Sequence, residues 1–139
     1  MNKNSNIGFV GLGNMGKPIF NHLNKKFSRI FCFDKDTSKL KKNNSSSLIE
    51  IFEKCKIIIF CIESNEQFID IIKKNTIKKN TVIVDLTSSL PDLTKKISSY
   101  LKKFESHYID AGMSGGASGA SDGTLTLMLG GSKTICKKI

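Results

Sequence analysis

Apolar residues in this chain fall into short unbroken runs, at 7–10, 30–33, 57–62, 81–86 and 107–110, separated by longer amphipathic, lysine-rich stretches. A run without alternation is the pattern of a strand covered on both faces, as in a parallel sheet. The stretches between have helical length: 14–26, 65–74 and 90–104, with a shorter one over 47–53. Repeated strand–helix–strand order predicts an α/β fold: a doubly wound, mostly parallel, Rossmann-like sheet with right-handed crossovers. One domain over 1–139 suits the length. Past Asp110 the pattern changes. Residues 111–123 are rich in Gly and Ser and read by themselves as a mobile loop, while 124–129 read as one more strand. Gly130-Gly131-Ser132 reads as the start of a helix that the end at Ile139 cuts short, so the chain is expected to be truncated.

The first run passes directly into Gly11-Leu12-Gly13-Asn14-Met15-Gly16, a G-x-G-x-x-G turn opening an amphipathic helix. In such a turn Gly11 permits the tight bend, Gly13 lets the backbone approach a pyrophosphate, and Gly16 lets helix pack on strand. The helix N-terminus then offers unpaired N–H groups and a positive dipole to phosphate. A glycine loop of purely structural purpose is the plainer alternative. The second run ends at Asp34, which follows Gly11 at about the ~20-residue spacing of the acid that binds ribose hydroxyls. A carboxylate there repels a 2′-phosphate, so NAD is expected ahead of NADP. Lys35 and Lys39 soften that preference, and a simple turn role for Asp34 is the alternative. After the third run, Cys61 and Ile62 are candidates for backbone contact with cofactor.

Three segments resemble one family, the β-hydroxyacid dehydrogenases of the 3-hydroxyisobutyrate type. Residues 8–19, Gly-Phe-Val-Gly-Leu-Gly-Asn-Met-Gly-Lys-Pro-Ile, go beyond a generic dinucleotide turn through Met15 and Pro18. Pro18 in the first helical turn costs little, because its missing N–H has no intrahelical partner. Residues 84–91, Val-Asp-Leu-Thr-Ser-Ser-Leu-Pro, are similar to the family's D-x-S-[ST]-x-x-P segment. The resemblance implies that Thr87 and Ser88 line the nicotinamide end of the cofactor site; capping of the following helix by 87–89 is the alternative. Residues 110–120, Asp-Ala-Gly-Met-Ser-Gly-Gly-Ala-Ser-Gly-Ala, continuing to Gly131, match the family's substrate segment, with Gly112 in place of its usual proline. There the resemblance implies that Ser114, Gly115 and Gly116 hold a substrate carboxylate. It also implies hydride transfer between a small 3-hydroxy acid and nicotinamide, and a homo-oligomeric full-length enzyme. The family's catalytic lysine and helical C-terminal domain are expected beyond Ile139, so no residue of this chain is assigned a catalytic role. The competing expectation is a nucleotide-binding fragment that catalyses nothing.

Composition changes this picture little. The net charge of +10 invites a nucleic-acid reading, but of the 22 basic residues only Arg29 is arginine, the side chain suited to bidentate recognition. The lysines read as solvated faces, with no nucleic-acid or membrane partner expected. Hydrophobic residues at 39% and charged residues at 24% are ordinary for a globular domain. No run reaches the ~18 residues that span a bilayer, and the start carries no leader-like segment, so a cytoplasmic protein is expected. Cys32, Cys55, Cys61 and Cys136 lack metal-site spacing and are expected to be buried thiols, with no metal bound. His22 and His107 are expected to be packing or surface residues.

Overall fold

The computed structural model describes residues 5–40 and 44–139; residues 1–4, part of the segment read above as carrying no leader, lie outside them. Six strands form one sheet: β1 (Ile7–Val10), β2 (Ile30–Phe33), β3 (Ile57–Phe60), β4 (Val82–Asp85), β5 (His107–Ser114) and β6 (Thr126–Gly130). Their spatial order is β2-β1-β3-β4-β5-β6. The first five pair in parallel, and β6 runs antiparallel against β5. The helices are α1 (Gly16–Lys26), α2 (Leu48–Lys54), α3 (Asn65–Lys74), α4 (Pro91–Lys102), α5 (Gly116–Asp122) and α6 (Lys133–Cys136), with a 3₁₀ turn at Thr37–Lys39.

Both faces of the sheet are covered, as the unbroken runs require. On one face Ile7, Phe9, Ile59, Val84 and Ile109 pack with Phe20 of α1, and Ile135 of α6 joins them. On the other, Val10, Ile58, Phe60, Ile83 and Tyr108 pack under Ile51 and Phe52 of α2, Phe68 of α3 and Ile97 of α4. Local signals set several helix ends. Ser47 and Glu50 form a reciprocal capping box on α2, the Ser64 hydroxyl caps α3, and Pro91 occupies the first turn of α4.

Three expectations need correction. The strands expected over 57–62 and 81–86 run Ile57–Phe60 and Val82–Asp85; the Cys61 and Leu86 N–H groups still donate to the Val10 and Phe60 carbonyls, but the side chains of Cys61, Ile62 and Leu86 pack against the core beyond the last paired residue. The Gly- and Ser-rich stretch is not a mobile loop. β5 runs on to Ser114 because Asp110 to Ser114 pair with Gly130 to Thr126, and α5 follows at once. Gly115 and Gly123 mark the ends of α5, with φ of +124° and +72°, so the glycines that suggest disorder are the residues that let chain enter and leave a short helix. Lastly, the strand expected over 124–129 runs Thr126–Gly130, and it is exposed along its whole length.

Candidate functional site

The parallel strands all end at one edge of the sheet, where open α/β sheets bind ligands. The turn after β1 divides its glycines by duty. A Cβ on Gly11, whose φ is +99°, would collide with the Cys61 carbonyl and lie 2.7 Å from Ile62 Cγ2. A Cβ on Gly16 would strike the Gly11 carbonyl oxygen. At Gly13 a Cβ would meet nothing within 4 Å. The first and third glycines serve packing, while the second faces open space that a ligand can fill. Asn14 is exposed and Met15 half-buried at the N-cap of α1, which has no side-chain cap and no acidic residue in its first turn. The dipole of that helix is therefore uncompensated toward the site.

Asp34 is buried at the tip of β2, with 7% of its surface exposed. Its Oδ2 accepts the Leu12 N–H at 2.6 Å and its Oδ1 accepts the Asp36 N–H at 2.8 Å. Lys39 Nζ stands 3.8 Å from Oδ1. Leu12 thus contributes its N–H to a clamp between the glycine turn and β2 and buries its side chain in the core. Each carboxylate oxygen keeps a second lone-pair direction for a hydroxyl. A cavity of about 190 Å³ opens here, lined by Gly11, Gly13, Asp34, Cys61, Ile62 and Gln67 among others. Sequence reasoning missed Gln67 and Ile71 in its wall. With Ser64 they lie about one turn apart on a single face of α3, and that spacing was the available signal.

A second cavity lies across β4 and β5, lined by Thr87, Ser88, Ser89, Asp110, Gly112 and Met128 among others. The helix-capping alternative for 87–89 does not hold, since the N-cap of α4 is Leu90, with no side-chain cap. Instead the Ser89 hydroxyl donates to Asn65 Oδ1 at 2.5 Å, and Asn65 Nδ2 donates to the Ser88 carbonyl at 3.3 Å. Thr87 Oγ1 is buried without a hydrogen-bond partner, the one such side-chain atom among the described residues. Ser114, Gly115 and Gly116 stand outside both cavities, exposed at the end of β5. Gly115 and Gly116 both have positive φ, at +124° and +59°.

Residues 6–139 match the family model described as the NAD binding domain of 6-phosphogluconate dehydrogenase. The chain belongs to that family. It is 32% identical to 2-(hydroxymethyl)glutarate dehydrogenase of Eubacterium barkeri, across 100% of this chain and 50% of the relative. It is 30% identical to mouse mitochondrial 3-hydroxyisobutyrate dehydrogenase, across 90% of this chain and 41% of the relative. Its fold is that of Mycobacterium tuberculosis 3-hydroxyisobutyrate dehydrogenase, solved with L-serine, at a TM-score of 0.88 and 21% identity, covering 97% of this chain and 49% of that one. The chain spans half or less of the length of these relatives.

Within this NAD-binding domain, Asp85 is fully buried at the end of β4. It accepts the Thr87 N–H at 2.9 Å and the Tyr108 hydroxyl at 2.7 Å. Burial pushes its carboxyl above the usual carboxylate range, outweighing the opposing pull of the Tyr108 hydroxyl and of the Thr87 side chain and N–H. Burial, then the Asp85 charge, also raises Asp110 beside it. Burial pushes the thiols of Cys32, Cys55 and Cys61 up to about 11, 12 and 11, so they are poor nucleophiles at neutral pH. Among the described residues no group of three or more His, Cys, Asp and Glu could hold a metal, and no helix is long and apolar enough to cross a membrane. His22 packs with a purpose of its own, since its Nε2 donates to the Ser121 carbonyl at 2.8 Å and so ties α5 to α1.

Proposed function

We propose that this domain holds the cofactor for an NAD-dependent oxidation of small 3-hydroxy acids. The observation that carries the reading is the pairing of an open cradle at Gly13 with a buried carboxylate, Asp34, clamped to the same turn. A Cβ at Gly13 would occupy only the space where a pyrophosphate approaches the backbone, so the turn fits a dinucleotide. Gly11 to Gly16 and the start of α1 hold the phosphates, and Asp34 takes the ribose hydroxyls. Cys61 and Ile62 border the adenosine side, while Thr87 and Ser88 meet the nicotinamide. Ser114, Gly115 and Gly116 receive the substrate carboxylate through a hydroxyl and backbone N–H groups, which converge where positive φ turns the chain. When bound, the cofactor supplies the hydride acceptor at nicotinamide C4. Substrate loses a hydride from its carbinol carbon and a proton from its hydroxyl; the proton-accepting lysine implied by the resemblance has no counterpart in residues 1–139.

The substrate class is supported by the two relatives, whose names both describe an alcohol on the carbon β to a carboxylate. The four free cysteines support a reducing compartment, in keeping with the cytoplasmic expectation. Titration with NADH and NADPH tests the cofactor reading. Asp34 disfavours a 2′-phosphate, so NADH binds at least ~10-fold more tightly, a difference of ~1.4 kcal/mol. Equal or tighter NADPH binding removes the role given to Asp34.

A further inference from the structure

We propose that Asn65, Asp85 and Tyr108 are positioning residues that hold the 87–89 loop in the shape that receives the nicotinamide end of the cofactor. The proposal rests on the cofactor reading above and gives a role to Asp85, the acid of the 84–91 segment to which no task had been assigned, and to Asn65 and Tyr108, which no motif includes.

The sheet itself has no need of a carboxylate at Asp85. That position is in register with Phe60 on one side and Asp110 on the other, and the sheet uses only its backbone. A buried ionisable group costs folding free energy unless its oxygens are matched. Asp85 spends one oxygen on the Thr87 N–H and the other on Tyr108 of the neighbouring strand. Tyr108 is itself buried, its ring 6.3 Å from that of Phe68 on α3. The carboxylate therefore joins the loop after β4 to β5, the strand that ends at Ser114.

Asn65 holds the loop from the other side, at the first turn of α3. Its amide donates to the Ser88 carbonyl and accepts from the Ser89 hydroxyl. Each loop residue is thus tied by one group: Thr87 by its N–H, Ser88 by its carbonyl, Ser89 by its side chain. The Thr87 hydroxyl is left over, buried and without a partner, in a segment lining the second cavity. A loop held at one group in each of its three residues, with one buried hydroxyl left over, is preorganised to present that hydroxyl to a ligand. A merely structural network would be expected to satisfy the last hydroxyl as well, because a buried unpaired one costs free energy.

The test compares two probes on the 139-residue chain. NADH reaches both cavities, whereas ADP-ribose lacks the nicotinamide and engages only the Gly13 and Asp34 side. Tyr108→Phe and Asn65→Ala each remove a tie without adding bulk, and Asp85→Asn keeps one acceptor oxygen. We expect Tyr108→Phe and Asn65→Ala to weaken NADH binding about tenfold, the loss of one buried hydrogen bond. Asp85→Asn weakens it less than Asp85→Ala does. ADP-ribose affinity stays within about twofold for Tyr108→Phe and Asn65→Ala, which also reports that these variants are folded. Unchanged NADH binding in both, or equal losses for NADH and ADP-ribose, overturns the positioning role. Failure of the unaltered chain to bind ADP-ribose overturns the cofactor reading itself, and this proposal with it.

Discussion

Gly11, Gly13 and Gly16 share one turn, yet their surroundings set different consequences for adding a side chain. Gly11 and Gly16 abut backbone carbonyls, so even alanine forces the turn or α1 to shift. Gly13 faces open space. Gly13→Val therefore leaves the fold intact while filling the volume where a pyrophosphate approaches, and NADH binding falls beyond detection. Circular dichroism matching the parent, together with a flat NADH fluorescence titration, is the expected pair of results. Normal binding by a folded Gly13→Val protein would show that the dinucleotide lies elsewhere. At the same scale Asp34 has two tasks within the fold. It turns the chain, by accepting from Asp36 N–H, and it clamps the glycine turn, by accepting from Leu12 N–H.

Among the elements, α5 depends most on single backbone conformations. It spans only Gly116–Asp122, too short to be stable by propensity, and it is held by its ends and by α1. Gly123 closes it in the left-handed region at φ +72°, and a Cβ there would lie 3.0 Å from the His22 ring. That ring is fixed by its bond to the Ser121 carbonyl. Gly123→Ala is expected to cost roughly 1–2 kcal/mol from the left-handed conformation alone. Displacing His22 adds to it. Urea denaturation of the two proteins side by side measures this loss, and equal midpoints would mean that α5 contributes nothing to global stability. Because α5 begins directly after Ser114 and Gly115, the same variant should also loosen residues 114–116, proposed above to receive the substrate carboxylate.

For the whole molecule, the questions are what the domain does alone and what meets its last strand. β6 leaves Leu127, Met128 and Leu129 between 44% and 58% exposed, at one edge of the sheet. Relatives about twice as long carry the activity named for them. The isolated 139-residue chain, saturated with NAD, is expected to oxidise 3-hydroxyisobutyrate at least ~100-fold more slowly than a full-length relative. That factor is the lower end of what a positioned general base supplies. Initial rates of NADH formation decide the matter. A rate equal to that of a full-length relative would require a proton acceptor within residues 1–139 and would remove the need for the implied lysine.

The unbroken apolar runs and the spacing of Gly11, Gly13 and Gly16 determined the parallel sheet and its glycine turn, because burial on both faces and a tight strand-to-helix bend are demands on local sequence. The segments resembling the dehydrogenase family pointed to 87–88 and 114–116 in the same way, as contiguous strings. The 111–123 stretch was not legible: Gly and Ser carry no apolar period, and its strand exists only because β6 pairs with it. Nor were Leu12 with Asp34, Asp85 with Tyr108, or Asn65 with Ser89, each more than 20 residues apart. Strand order and register bring those groups together. Hydrogen bonds between distant residues leave no periodic trace in a sequence, and only the tertiary structure could decide them.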